Sequence, residues 1–229
     1  PKLEDMLPGS VVVGEESASL QSKNIDQIFK SEYIWAVDPI DGTVNFTAGL
    51  PLFTVSVGLF RKTENGYEPV SGNISFPAFS EIYFTREEKT YLRNIRSGNE
   101  IEIQRNKEES VSSLLVPNHY VIGKNVNHQN RFASNIRLLG STAADMLYVS
   151  LGKASATVTL AHLWDIAAAL SIAKTQGLYP RDLSTGRVKK HFTKDDFMYG
   201  DPKQHWRLKK PLVLCNEEDY SDVKNLVKD

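Results

Sequence analysis

The chain has 229 residues, 41% of them hydrophobic and 24% charged, with a net charge of −1, enough to bury a substantial core as one large domain or two small ones. This balance gives no electrostatic reason to expect nucleic acid or a membrane surface as a partner. No apolar stretch approaches the roughly 20 residues that span a bilayer, no signal peptide is visible, and the single cysteine, Cys215, excludes an intrachain disulfide and points to a reducing, cytoplasmic setting.

The first predicted strand is Val11-Val12-Val13, followed by Gly14-Glu15-Glu16-Ser17, so an acidic pair stands at a strand's end. A second apolar run, Tyr33-Ile34-Trp35-Ala36-Val37, is predicted to end at Val37 and to deliver Asp38-Pro39-Ile40-Asp41-Gly42-Thr43 to a turn. Pro39 holds φ at about −65° and removes a donor, which presets a turn with Asp38 and Asp41 on the same side. A hard cation such as Mg²⁺ takes oxygen ligands, commonly one or two carboxylates with water and substrate phosphate completing the shell. Gly42 lets the backbone approach a ligand, and the Gly42 and Thr43 amides are candidate phosphate donors. Asp-Pro-x-Asp-Gly is also simply a favourable turn, so these residues alone leave both readings open.

From Phe53 to Leu59 apolar residues alternate with Thr54, Ser56 and Gly58, the period of a half-buried strand, and Thr63-Glu64-Asn65-Gly66 reads as a hairpin turn. Further strands are predicted around Ile74, over 81–85 and over 100–104, an antiparallel α+β pattern. After the polar stretch 105–110 the pattern changes to strands over 114–116, 136–139, 154–160 and 211–215. These alternate with helices over 142–151, 164–175 and 217–227. The predicted organisation is therefore an antiparallel α+β half, 1–110, and an α/β half, 111–229. Asp165 falls in the first turn of the 164–175 helix, where helix capping is the ordinary reading of a lone aspartate. His162 reads as a satisfied structural histidine, Glu16, Lys189-Lys190 and Lys209-Lys210 as solvated charge, and Cys215 as a buried inert thiol. No serine or cysteine nucleophile with a convincing base is present, nor a P-loop lysine motif.

Three segments in order, GEES (14–17), WAVDPIDGTVNF (35–46) and WDIAAA (164–169), together with Leu139-Gly140-Ser141-Thr142-Ala143-Ala144, resemble the inositol monophosphatase family of Mg²⁺-dependent, lithium-sensitive phosphatases. The resemblance covers nearly the whole chain and implies a layered α+β / α/β sandwich of the inositol monophosphatase and fructose-1,6-bisphosphatase type. It implies two or three Mg²⁺ ions, the first on Glu15, Asp38 and the Ile40 carbonyl, the second on Asp38, Asp41 and Asp165. Glu15 and Thr43 would orient the attacking water, the Gly42 and Thr43 amides would hold the phosphate, and Ser141 and Thr142 would start a substrate-contacting helix. A homodimer acting on a small phosphorylated substrate is implied as well.

Two departures from the family pattern stand out. Members carry a pair of helices before GEES, with a lysine and an aspartate near a third metal position, whereas only Pro1 to Val13 precede it here, so those helices are expected to be missing. Inositol-specific members hold a glutamate seven residues before the WD aspartate, where this chain has Val158, which weakens the expectation of inositol over other phosphomonoesters. Fructose-1,6-bisphosphatase, histidinol-phosphatase and 3′-phosphoadenosine nucleotidase are the sister specificities, and a non-catalytic cation-binding regulatory protein is the reading from another class.

Overall fold

A computed structural model describes residues 2–17, 25–105, 113–115, 125–201 and 203–228. In chain order, helix α1 (Leu3–Met6) precedes strand β1 (Ser10–Gly14), a 3₁₀ turn over Glu15–Ser17, α2 (Ile25–Ile28), β2 (Tyr33–Asp41), α3 (Thr43–Thr47), β3 (Thr54–Thr63) and β4 (Gly66–Phe76). Strands β5 (Glu81–Arg86), β6 (Lys89–Asn94) and β7 (Glu100–Ile103) complete a seven-stranded sheet in the order β1 to β7. Strands β8 (Leu114–Leu115), β9 (Asn125–Val126) and β10 (Ile136–Arg137) then lead to α4 (Thr142–Ser150), β11 (Ala156–Thr159), α5 (Leu163–Thr175), β12 (Arg181–Asp182), β13 (Leu212–Cys215), α6 (Tyr220–Lys224) and β14 (Val227–Lys228). A second, five-stranded sheet has the order β10-β8-β11-β13-β12.

The layering follows from which faces are apolar or small. Helix α5 packs across β2 to β6, while α4 packs on α5 and on β11 and β13, so the two helices lie between the sheets. From Ile166 to Ala173 every residue of α5 is buried. Its alanines let it sit low on the sheet, where Gly58 and Gly72 are cross-strand partners. A Cβ on Gly58 would lie 2.5 Å from Ala167 Cβ, and one on Gly72 would lie 2.2 Å from the Ala168 carbonyl oxygen. The helix rests on bare backbone there.

Several elements differ from the sequence expectation. β2 runs on through Asp41 with a register shift after Asp38, and β1 joins β2 in parallel, so the first sheet is not wholly antiparallel. In β3, where the alternation named no inward face, the residues buried over 54–58 are the small ones, Thr54, Ser56 and Gly58, with Phe60 buried beyond them, while Val55, Val57 and Leu59 are half-buried on the other face. Closeness to α5 decides this, since larger side chains would hold the helix away. The helix expected over 217–227 is confined to Tyr220–Lys224, because Val227–Lys228 pairs as a strand with Asn125–Val126. Strand β6 was not anticipated. Ser110 and Val116, which bounded predicted segments, lie outside the described residues. Among the described residues no helix is long and apolar enough to cross a membrane.

Gly72→Ala should destabilise the protein by about 1–3 kcal/mol through overpacking against α5. Urea denaturation reads this directly, and an unchanged midpoint would mean that the helix does not sit this close.

Candidate functional site

Asp38 continues the inward alternation of Ile34 and Ala36 along β2, so its carboxylate points toward the helices rather than to solvent. Three residues further on, an undisturbed strand would send Asp41 to the opposite face. The register shift prevents this: Asp38 pairs with Ser56 and Asp41 with Thr54, so three steps on β2 match two on β3. One extra residue restores the phase, and both aspartates face inward. Pro39, with no N–H to pair, is suited to such a bulge.

Asp165 arrives from the other side. It occupies the third position of α5, where its Oδ2 accepts the His162 N–H at 2.9 Å. The capping position belongs to His162, not to Asp165. The Ser56 hydroxyl, on the residue paired with Asp38, donates to the Trp164 carbonyl at 3.0 Å and ties the helix start to β3. As a result one carboxylate oxygen from each of Asp38, Asp41 and Asp165 lies within 4.8 Å of the others.

Asp41 is the most heavily bonded of the three. Its Oδ2 accepts the Ser141 hydroxyl at 2.6 Å, the Ala143 N–H at 2.7 Å and the Thr54 hydroxyl at 3.4 Å, and its Oδ1 accepts the Thr142 N–H at 3.2 Å. Ser141, buried at the N-cap of α4, and the Thr142 amide thus direct their donors at Asp41. Gly42, at φ +93°, turns the chain into α3, and a Cβ there would meet the Gly140 carbonyl at 3.0 Å. The Thr43 hydroxyl donates to the Ile40 carbonyl at 3.0 Å. Glu15 is exposed at the rim and is not part of the tight trio. His162 stacks on Trp164 at 4.9 Å, with Nδ1 3.5 Å from Asp165 Oδ2.

The electrostatics follow from this crowding. Burial first, then the charges of Asp165, Asp41 and Glu15, hold the Asp38 carboxyl well above its ordinary range, against one lowering bond from the Ile40 N–H. Asp41 is raised by burial and then by Asp165, although its donors from α4 pull it down. Partial burial, then Asp165 and Glu16, raises Glu15. An all-carboxylate, mutually repelling set is the donor chemistry of a hard divalent cation, which would relieve the repulsion.

Sequence reasoning missed Ser56, Thr54, Asn45 and Asp145. The Asn45 side-chain N–H₂ donates to the Leu52 and Leu139 carbonyls, both at 2.6 Å, joining α3 to the loop that follows it and to the segment before α4. Asp145 is 5% exposed with its Oδ1 unpartnered, and burial followed by the Asp41 charge raises its pKa. A polar face on β3 and an asparagine between apolar neighbours were the available signals.

The profile of the inositol monophosphatase family matches residues 2–212. A fructose-1,6-bisphosphatase/inositol-1-monophosphatase of Thermotoga maritima is 36% identical over 194 residues, covering 82% of this chain and 71% of that protein. The Nus factor SuhB of Pasteurella multocida is 28% identical, over 78% of this chain and 65% of its own length. Among solved structures, inositol monophosphatase II of Staphylococcus aureus superposes with a TM-score of 0.68 at 20% identity, covering 97% of this chain and 75% of that one, and shows the same fold.

Raised carboxyls make metal and pH act together. The folded chain keeps protons on Asp38 and Asp41 above their ordinary value of 3.8, so it binds more protons than the unfolded chain across that interval, and stability falls as pH rises through it. In EDTA the thermal midpoint should therefore drop between pH 5 and pH 8, and the rise produced by added Mg²⁺ should grow with pH. Calorimetry at each pH measures both, and a midpoint insensitive to Mg²⁺ throughout would contradict the cation reading.

Proposed function

The chain belongs to the inositol monophosphatase family, and from that premise we propose that it is a Mg²⁺-dependent phosphomonoesterase acting on a small polyol or sugar phosphate with water as the nucleophile. The observation that carries this reading is the convergence of Asp38, Asp41 and Asp165 within 4.8 Å from two strand positions and a helix start.

Asp38, Asp41 and Asp165 would hold the ions, with Glu15 and the Ile40 carbonyl on the outer side and Asp38 shared. Bound there, Mg²⁺ supplies neutralisation of the phosphate and a lowered pKa for the attacking water. The remaining work falls to the chain. Glu15, whose carboxyl is raised by partial burial and its acidic neighbours, would accept the water's proton. Thr43, whose hydroxyl proton goes to the Ile40 carbonyl, would accept a hydrogen bond from that water through Oγ1, and the Gly42 and Thr43 amides would hold phosphate oxygens. Ser141 and Thr142 serve through Asp41, fixing its carboxylate against α4. Phosphoryl transfer demands mainly positioning and charge, which rigid elements supply.

Val158 gives no preference for inositol. It is 1% exposed in the middle of the second sheet, paired with Val213. No hydroxyl acceptor stands at that position, so a phosphorylated sugar fits as well as inositol phosphate. The reading also places the protein in the cytoplasm as a homodimer. Support for the dimer is an apolar surface around Val44, 80% exposed, Leu50, 52% exposed, Phe46 and Leu138; the Asn45 bonds bring these segments side by side. A patch of this kind commonly marks an interaction site. A non-catalytic regulatory role is the second reading, favoured by the similarity to a Nus factor.

Phosphate release from inositol-1-phosphate, fructose-1,6-bisphosphate, histidinol phosphate and 3′-phosphoadenosine 5′-phosphate, with Mg²⁺ and then EDTA, separates the two. Metal-dependent turnover is expected, and Asp38→Asn should lower it by about 10³-fold or more, the several kcal/mol that metal-borne charge stabilisation supplies. Turnover surviving in Asp38→Asn would refute the bridging role; no turnover of any compound would favour the regulatory reading. Leu50→Asp should shift sedimentation from dimer to monomer, and a wild-type monomer would remove the dimer from the proposal.

A further inference from the structure

The two lysine pairs, Lys189-Lys190 and Lys209-Lys210, are far apart in sequence, yet Lys189, Lys209 and Lys210 meet with Arg187 around one cavity of about 440 Å³. That volume falls within the roughly 300–1,000 Å³ range of small-molecule sites. None of Glu15, Asp38, Asp41 or Asp165 lines it, so it is distinct from the acidic cluster.

Its lining is divided by character. Val188, 43% exposed, provides apolar surface, with Leu208 and Leu212 buried behind it. Of its acidic residues, Asp182 spends its Oδ1 on its own turn, accepting the Ser184 hydroxyl at 2.6 Å and the Ser184 and Thr185 amides. Asp196 is matched by Lys189 at 2.6 Å and by the Thr193 N–H at 2.7 Å. Arg187, Lys209 and Lys210 carry no ion pair among the described residues. Asp182, bonded only to neutral donors, keeps its charge, so Asp182 and Asp195 stand against these three cations and leave an excess of one positive charge at the cavity, on a chain whose net charge is −1.

We infer that this cavity is a second ligand site, for a small phosphorylated molecule whose apolar body rests on Val188 and whose phosphate is held by Arg187, Lys209 and Lys210. Arginine offers a planar fork to phosphate oxygens and the lysines offer point charges, and such bonds are about twice as strong as neutral ones. The inference does not depend on the protein being a phosphatase, because the site lies outside the acidic cluster.

Phenyl phosphate is a suitable probe, used with the full chain in EDTA so that the metal-dependent chemistry is silent, and compared with inorganic phosphate and with NaCl at equal ionic strength. One equivalent of phenyl phosphate should bind by calorimetry, about tenfold tighter than inorganic phosphate. At ten times its Kd it should raise the thermal midpoint by about 3 to 5 °C. Lys209→Gln with Lys210→Gln should abolish the shift, with folding checked by circular dichroism, and Arg187→Gln alone should weaken binding about tenfold. Asp38→Asn should leave it intact. Equal binding of the two phosphates, a shift no larger than that of NaCl, a shift undiminished in the lysine variant, or one lost in Asp38→Asn would each overturn the assignment.

Discussion

Three carboxylates packed into one small volume repel one another, and the fold must hold them there by other means. The chief restraint is the bonding of Asp41 to the start of α4. Four donors from Thr54, Ser141, Thr142 and Ala143 converge on its two oxygens, and two of them are helix amides whose dipoles favour a negative charge. Because Oδ2 takes three of these bonds and Oδ1 only one, Oδ1 is the oxygen left with capacity for a cation. The same bonds clamp the end of β2 in the first sheet to a helix that leans on the second sheet. One carboxylate therefore orders the site and joins the layers.

The other two acids are held by quieter devices. A one-residue bulge keeps Asp38 in phase with Asp41, and a serine hydroxyl on the neighbouring strand fastens the helix start that carries Asp165. Neither depends on a long side chain, which would have many rotamers to lose. Carboxylates are placed by strand register, helix ends and short hydroxyls, the rigid parts of a chain.

Much of this was legible in the sequence, though unevenly. The strand before Asp38, the hairpin at Asn65-Gly66, the 142–151 and 164–175 helices and the acidic motifs were all visible, because periodicity and turn chemistry are local signals. The buried face of β3 was not. Alternation along 53–59 names two faces without saying which is inward; the answer lay in Ala167 and Ala168, more than a hundred residues away. The bulge was read as a turn for a similar reason, since Pro39 suits either and only the partner strand decides. The C-terminal helix was overdrawn because Val227–Lys228 finds a strand partner at Asn125–Val126 that no local pattern announces. Asp41 itself was read as a ligand, whereas its hydrogen bonds to α4 required knowing that Ser141 would arrive beside it.

The glycine pair beneath α5 carries a consequence for how the centre behaves under thermal agitation. Attraction between side chains is compliant, since methyl groups rotate and rotamers exchange. Main chain resting on main chain is a hard stop, and the steep wall of the repulsive potential fixes its height. The helix that bears Asp165 is seated on such a stop at Gly58 and Gly72, so its distance from Asp38 has little elastic play in the compressive direction. Separation is the softer mode, limited by the hydroxyl of Ser56. Breathing of this centre is thus one-sided: the acids draw apart far more readily than they are pushed together.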